Sequence, residues 1–323
     1  MDILYTVLFL IAALCLTSVL AAYVCFRRVF YSPPRTPLGD GEYNIPSGPK
    51  YDEYHNLMLD WVKTKRALPC LELSVTSFDG LTLRGKYYEY KKGAPIEILF
   101  HGYKGSAERD LSGAIERCFS LERSAVLVDQ RAAGASDGNV ISFGINECRD
   151  CLRWIDKIIE VFGDDTEIVI GGVSMGAATV TMASAEKLPL NVKYAVADCP
   201  YTCPEDIIKK TIREMKLPPK LIYPMVKLGA RLFGHFSLSE NSPIEAVKKS
   251  RIPIIFLHGD GDDFVPCEMS RRLFNECART KKLTIINGAA HGLAFPADKA
   301  SYVDAIREFE RKNAVFASKE KRS

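Results

Sequence analysis

Hydrophobic positions along the chain fall into two regimes, with one unbroken run at the start and a regular alternation afterwards. From Ile3 to Phe26 no charged side chain interrupts the run, and Arg27 and Arg28 close it. As a helix, those ~24 residues rise roughly 36 Å, enough to cross a hydrocarbon core of ~30 Å. A cleaved export signal would have a basic start and a shorter apolar stretch, whereas here the start carries Asp2 and no Lys or Arg. The expectation is therefore one retained transmembrane helix over 3–26. The Arg27, Arg28 and Arg35 side chains beyond it predict a cytoplasmic location for the rest of the chain. A Pro- and Gly-rich stretch then reads as a linker over 27–49.

The second regime begins with Tyr54, Leu57, Met58, Trp61 and Val62, whose spacing predicts an amphipathic helix over about 51–66. Two β-rich runs, 71–78 and 81–90, flank Asp79-Gly80, a strong hairpin signal. Short apolar strands then alternate with helical patterns. The strands are Ile96–Phe100, Ala125–Asp129, Ile168–Gly171, Tyr194–Ala197, Ile254–Leu257 and Leu283–Ile286. The helices lie near 106–120, 145–162, 175–187, 267–279 and 297–316. This order predicts an α/β fold, a mostly parallel sheet between helical layers with an antiparallel hairpin at one edge. Residues 203–250 interrupt the rhythm with a Pro-punctuated helical insertion. Its apolar face (Ile222, Met225, Val226, Leu232, Phe233, with Gly229 in the middle) reads as a cap over a pocket. The catalytic unit is expected over 50–316, with a basic tail at 317–323.

Composition narrows the class. The 323 residues are 47% hydrophobic and 26% charged, as in ordinary globular proteins, and the net charge of +3 comes with no basic stripe for nucleic acid. The ten cysteines show no disulfide spacing and suit a reducing compartment. Cys148-x-x-Cys151 lies on a predicted helix without further Cys or His nearby, so no metal site is expected there. No feature sets the oligomeric state.

The chemistry concentrates at Gly172-Val173-Ser174-Met175-Gly176, between a strand and a helix. G-x-S-x-G in that setting is a nucleophile elbow. Serine needs a base, and His291, on the loop after the last strand, is the candidate. His101 and His258 read as buttresses of strand ends, and His55 and His235 as surface or cap residues. An acid must orient the imidazole. Asp262, in the run His258 to Pro266, is the first choice, with Asp263 and Asp198 as alternatives. The order Ser174, Asp262, His291 is nucleophile, acid, base. The oxyanion donors are expected to be the backbone amides of Met175 and of Tyr103, in the loop after Ile96–Phe100.

With these stations in place the chain resembles the α/β-hydrolase superfamily. More narrowly it resembles the serine aminopeptidase and monoacylglycerol-lipase-like group and its membrane-anchored bacterial relatives. The resemblance rests on Ser77–Leu83, His101-Gly102, Asp129–Gly138, Gly172–Gly176, His258–Asp262, Val265-Pro266 and His291-Gly292. Ala132 stands where the group usually has Gly. It implies Asp262 as the acid and hydrolysis of esters, thioesters or amides without a cofactor. The expected partners are a small-molecule acyl substrate and a membrane. The alternatives are a peptidase, which would need a cap carboxylate for a free amine (Glu205, Asp206, Glu214, Glu240 or Glu245), or an idle membrane-tethered scaffold.

Overall fold

The computed structural model describes residues 2–33 and 41–316. Part of the expected linker and the expected basic tail lie outside the described residues. The N-terminal apolar run forms α1 (Asp2–Val29), followed by α2 (His55–Ala67). The hairpin is β1 (Leu71–Thr76) and β2 (Thr82–Tyr88). Then come β3 (Ile96–Phe100), α3 (Ala107–Asp110), α4 (Ala114–Ser120), β4 (Ser124–Asp129), α5 (Ile145–Phe162), β5 (Ile168–Val173) and α6 (Met175–Ala183). After β6 (Val192–Asp198) the chain forms α7 (Pro204–Glu214), α8 (Pro219–Phe233) and α9 (Pro243–Val247) before returning in β7 (Ile254–Gly259). It ends with α10 (Glu268–Glu276), β8 (Lys281–Ile286), α11 (Ala294–Ala297) and α12 (Lys299–Lys312).

The eight strands form one sheet in the order β1-β2-β4-β3-β5-β6-β7-β8. Strand β2 pairs antiparallel with both β1 and β4, and the remaining pairs, from β4 to β8, are parallel. This is an α/β-hydrolase architecture, preceded by one long apolar helix. Strands β3 and β7 are buried along their whole length, which is why they read as continuous runs rather than alternating ones. One face carries α5, α6 and the α7–α9 insertion, and the other carries α2, α11 and α12.

The predicted helix over 106–120 is two helices. Gly113 sits between them under the Trp61 ring, where a Cβ would lie 2.8 Å from the indole, so the chain breaks to let α2 pack. The predicted helix over 297–316 is α12, one helix that starts two residues later, with the Asp298 side chain capping it through the Ser301 amide at 2.9 Å.

Glu97, in the apolar run of β3, is fully buried. Arg117 reaches it at 2.5 Å and Arg123 at 2.7 Å, and Arg123 goes on to Tyr194 and Glu310. Burial pushes the Glu97 carboxyl up, but the two guanidiniums outweigh it and hold it below its usual value. Gly171 leaves room for this group, since a Cβ there would lie 2.4 Å from Glu97 Oε1. Glu97→Gln leaves the Arg117 guanidinium without its countercharge inside the protein and Arg123 with Glu310 alone. Breaking such a pair costs about 3–5 kcal/mol. A denaturant titration is expected to show a loss of that size, and an unchanged midpoint contradicts it.

Candidate active site

Ser174 lies between β5 and α6 with φ 56° and ψ −113°, a backbone conformation that side-chain-bearing residues rarely adopt. The turn is tight because its flanks are glycines. A Cβ on Gly172 would lie 2.2 Å from the Gly176 carbonyl carbon, and one on Gly176 would lie 1.9 Å from the Phe100 oxygen. The Ser174 amide donates to the Asp198 carbonyl at 2.8 Å, extending the β5–β6 ladder into the turn. The hydroxyl is thereby raised at the C-terminal edge of the sheet, where open α/β sheets gather their ligands.

His291 Nε2 lies 2.9 Å from Ser174 Oγ, and His291 Nδ1 lies 2.7 Å from Asp262 Oδ2. The carboxylate accepts the Nδ1–H and leaves Nε2 free to accept the serine proton. Three contacts fix the His291 loop. Tyr51 donates its hydroxyl to the His291 carbonyl at 3.0 Å, Phe264 packs edge-on at 5.0 Å, and Gly292 turns with φ 69°. Burial raises the Tyr51 hydroxyl to about 12, so it stays a donor.

Asp262 is buried and richly solvated by protein. Its Oδ1 accepts the amides of Phe264 and Val265 at 2.9 and 2.8 Å. His258 Nε2 approaches its Oδ2 at 3.2 Å and the Val265 carbonyl at 2.8 Å, so that nitrogen carries a hydrogen. Burial raises the Asp262 carboxyl, but the hydrogen bonds from His258 and His291 outweigh it and hold the acid well below the usual range. The alternatives are engaged elsewhere. Asp263 is exposed and pairs with Lys50 at 2.6 Å, and Asp198 accepts from Tyr302 at 3.0 Å, with burial raising its carboxyl.

The loop expected to supply an oxyanion donor follows β3. A Cβ on Gly102 would lie 3.6 Å from that of Ser174, so the loop flanks the serine. Met175 opens α6, where amides have no intrahelical acceptor. Two side chains brace the loop: Gln130 donates to the His101 carbonyl at 2.6 Å, and Asp110 accepts the Gly102 amide at 3.1 Å. His101 is buried and its Nε2 accepts the Gln130 amide at 3.1 Å. The loop also reaches α1. The Tyr103 hydroxyl donates to the Val29 carbonyl at 2.6 Å, and the Lys104 ammonium to the Arg28 carbonyl at 2.9 Å.

The insertion does not present the face expected of it. Gly229 and Phe233 lie under α1 instead of lining an open pocket, Val226 is buried, and Leu232 is exposed. A cavity of about 70 Å³ lies beside Val173 and Gly292, with Met58, Trp61, Phe295 and Asp198 in its wall. Sulfur, carboxylate and imidazole donors of Cys199, Asp262 and His291 lie within 4.8 Å of one another. Burial keeps the Cys199 thiol protonated, and both imidazole nitrogens already serve the serine and the acid, so the set competes poorly for a metal.

Comparison with known proteins places the chain by family and by fold. The sequence profile of the prolyl oligopeptidase family, peptidase S9, matches residues 142–314, more than half of the chain. The chain belongs to the prolyl oligopeptidase family. Solved structures with the same fold include a Pyrococcus furiosus esterase (TM-score 0.62, 20% identity, 85% of this chain and 99% of that one). Another is the esterase Est1E of Butyrivibrio proteoclasticus with ferulic acid bound (TM-score 0.56, 21% identity, 76% and 99%). The uncharacterized protein YqkD of Bacillus subtilis is 26% identical over 189 residues, 57% of this chain, and the chain spans 61% of its length. An uncharacterized Mycobacterium tuberculosis protein is 24% identical over 295 residues, covering 90% of this chain and 89% of its own.

Asp262→Asn offers an amide where the imidazole needs an anion. With the tautomer no longer held, kcat is expected to fall by about 10³–10⁴ with the fold retained. Because the folded carboxyl titrates below its unfolded value, Asp262 stabilises the protein above roughly pH 4, and this is lost as pH falls through the folded value. The stability gap between wild type and Asp262→Asn, followed by denaturant unfolding, should therefore narrow toward acid. A gap that widens refutes the assignment.

Proposed function

We propose that this protein is a membrane-tethered serine hydrolase that cleaves a carboxylic ester of a lipid-like acyl substrate through an acyl-enzyme. The observation that carries the proposal is the continuous path from Asp262 through His291 to Ser174, at 2.7 and 2.9 Å. His291 takes the serine proton as Oγ attacks the carbonyl carbon. The amides of Met175 and Tyr103 receive the charge that develops on oxygen. His291 then protonates the leaving alcohol, and in the second half it activates water to release the acid.

The cap supports ester over aminopeptidase chemistry. Each carboxylate considered for a substrate ammonium already has a partner. Glu205 pairs with Lys209, Glu214 with Lys210 and Glu240 with Arg149; Glu245 pairs with Lys248 at 2.8 Å, and Asp206 meets Thr202 at 2.6 Å and Arg272 at 3.4 Å. The family name keeps amide cleavage as the second reading, and the same triad would perform it.

Retention of α1 has support of its own. Ala22, Phe26 and Phe30 are buried, and Phe30 meets Phe143 and Phe236 edge-on at 5.9 and 5.2 Å. The chain beyond α1 is stitched to residues 139–141 by Ser32 to Asn139 at 2.9 Å and Ile141 to Phe30 at 2.8 Å. Removing an export signal here would strip side chains from the core. With Arg27 and Arg28 at the end of α1, the hydrolase domain is assigned to the cytoplasm.

A panel of p-nitrophenyl acyl esters beside aminoacyl and prolyl anilides tests the reading. Turnover of the esters, abolished by Ser174→Ala without loss of folding, is the expected result. Preferential turnover of the anilides establishes the peptidase instead, and full activity in Ser174→Ala removes the mechanism.

A further inference from the structure

Helices α1 and α8 pack side by side and run in the same direction. Gly229 faces Ala22, where a Cβ would lie 2.4 Å from the Ala22 oxygen. Farther along, Phe233 meets Tyr23 and Phe26 at 5.2 and 5.8 Å, and Phe236 meets Phe30 at 5.2 Å. On α1 the shielded positions are Ser18, Ala21, Ala22, Cys25, Phe26, Val29 and Phe30, a single stripe at helical spacing. Before Ser18, every described side chain but Ala13 is exposed.

This docking creates a shortfall in length. From Ile3 to Thr17, α1 rises only about 22 Å, against a hydrocarbon thickness of ~30 Å. A spanning α1 must therefore bring roughly 8 Å of its docked segment into the bilayer, and α8 lies beside that segment. Since Gly229 is level with Ala22, the first turn of α8 lies about 10–15 Å nearer the N-terminal end of α1. The α7–α8 turn goes with it.

The side chains at that end suit such a place. Met215, Leu217 and Leu221 are 64%, 41% and 70% exposed. Arg213, Lys216 and Lys220, interleaved with them, are exposed and make no ion pair with any described residue. Apolar side chains alternating with long cations suit a segment that enters the acyl region and sends its charges along their stems toward the headgroups.

We propose that the α7–α8 turn and the first turn of α8 are a second membrane-contacting element, immersed beside α1 in a leaflet containing anionic phospholipid. This rests on the retained anchor proposed above. The consequence is that the hydrolase domain is seated on the bilayer with its cap held at a defined depth, instead of trailing from a flexible tether. The oxyanion loop, bonded to Arg28 and Val29 at the end of the same helix, sits close to the headgroup level.

The full chain, reconstituted in phosphatidylcholine–phosphatidylglycerol vesicles with or without dibrominated acyl chains, tests this through added tryptophans. The native Trp61 and Trp154 are buried in the domain and give a common background. Leu10→Trp reports on α1, Leu221→Trp on the cap tip and Val161→Trp on the far end of α5. At a depth of roughly 10–15 Å below the level of Ala22, Leu221→Trp should lose about half its added emission to brominated lipid, as Leu10→Trp does, with Val161→Trp unaffected. Quenching of Leu10→Trp alone overturns the immersed tip and leaves the anchor standing. If neither reporter is quenched, the anchor and the tip fall together.

Discussion

The strained backbone at Ser174 is the constraint on which the rest of the site depends. A residue with φ 56° and ψ −113° persists only where its surroundings over-determine it. Here they do so sterically, with Gly172 and Gly176 closing against each other and against the end of β3, and through the ladder bond from Ser174 to Asp198. The turn holds the hydroxyl at the sheet edge before any partner arrives. The β8–α11 loop then delivers His291, the end of β7 delivers Asp262, and the end of β3 delivers the oxyanion loop. Four chain segments distant in sequence meet because a parallel sheet brings its C-terminal strand ends to one rim.

The second organising feature is the union of α1 with the rest of the chain. The last turns of α1 give Ala22, Phe26 and the following Phe30 to the hydrophobic core and leave Arg27 and Arg28 exposed. The Val29 and Arg28 carbonyls accept from Tyr103 and Lys104, so the loop after β3 and α1 form one bonded unit. The cap helix α8 gives its inner face to α1, which leaves its first turn and the preceding loop pointing along the anchor.

Much of the fold was legible because strands and helices announce themselves by different periods. Strands β3 and β7 and helix α5 lie close to where the hydrophobic pattern put them. The glycine-flanked serine and the histidine after the last strand were legible because tight turns need small residues and a swinging base needs a loop. Other features left no readable mark. Glu97 sits unmarked in the strand Ile96–Phe100, since nothing local announces that Arg117 and Arg123 fold back on it. The contact of His258 with Asp262 depends on a turn four residues long, and the pairing of each cap carboxylate depends on rotamers and neighbours. The docking face of α1 was hidden for a different reason. Small and apolar side chains such as Ala21, Ala22 and Cys25 suit lipid and protein alike, so a membrane pattern and a packing pattern coincide. For the same reason the apolar face of α8 read as a pocket lining when it is a seat for α1.

The central claim is that Ser174 is made nucleophilic by His291. It is tested most directly by exposing the full chain to a fluorophosphonate and locating the adduct by peptide mass analysis. The account predicts one phosphonyl group per chain, carried by Ser174, with labelling in His291→Ala slower by about 10³ or more. A wild-type chain that stays unlabelled, or a label that persists elsewhere when Ser174 is replaced, contradicts it.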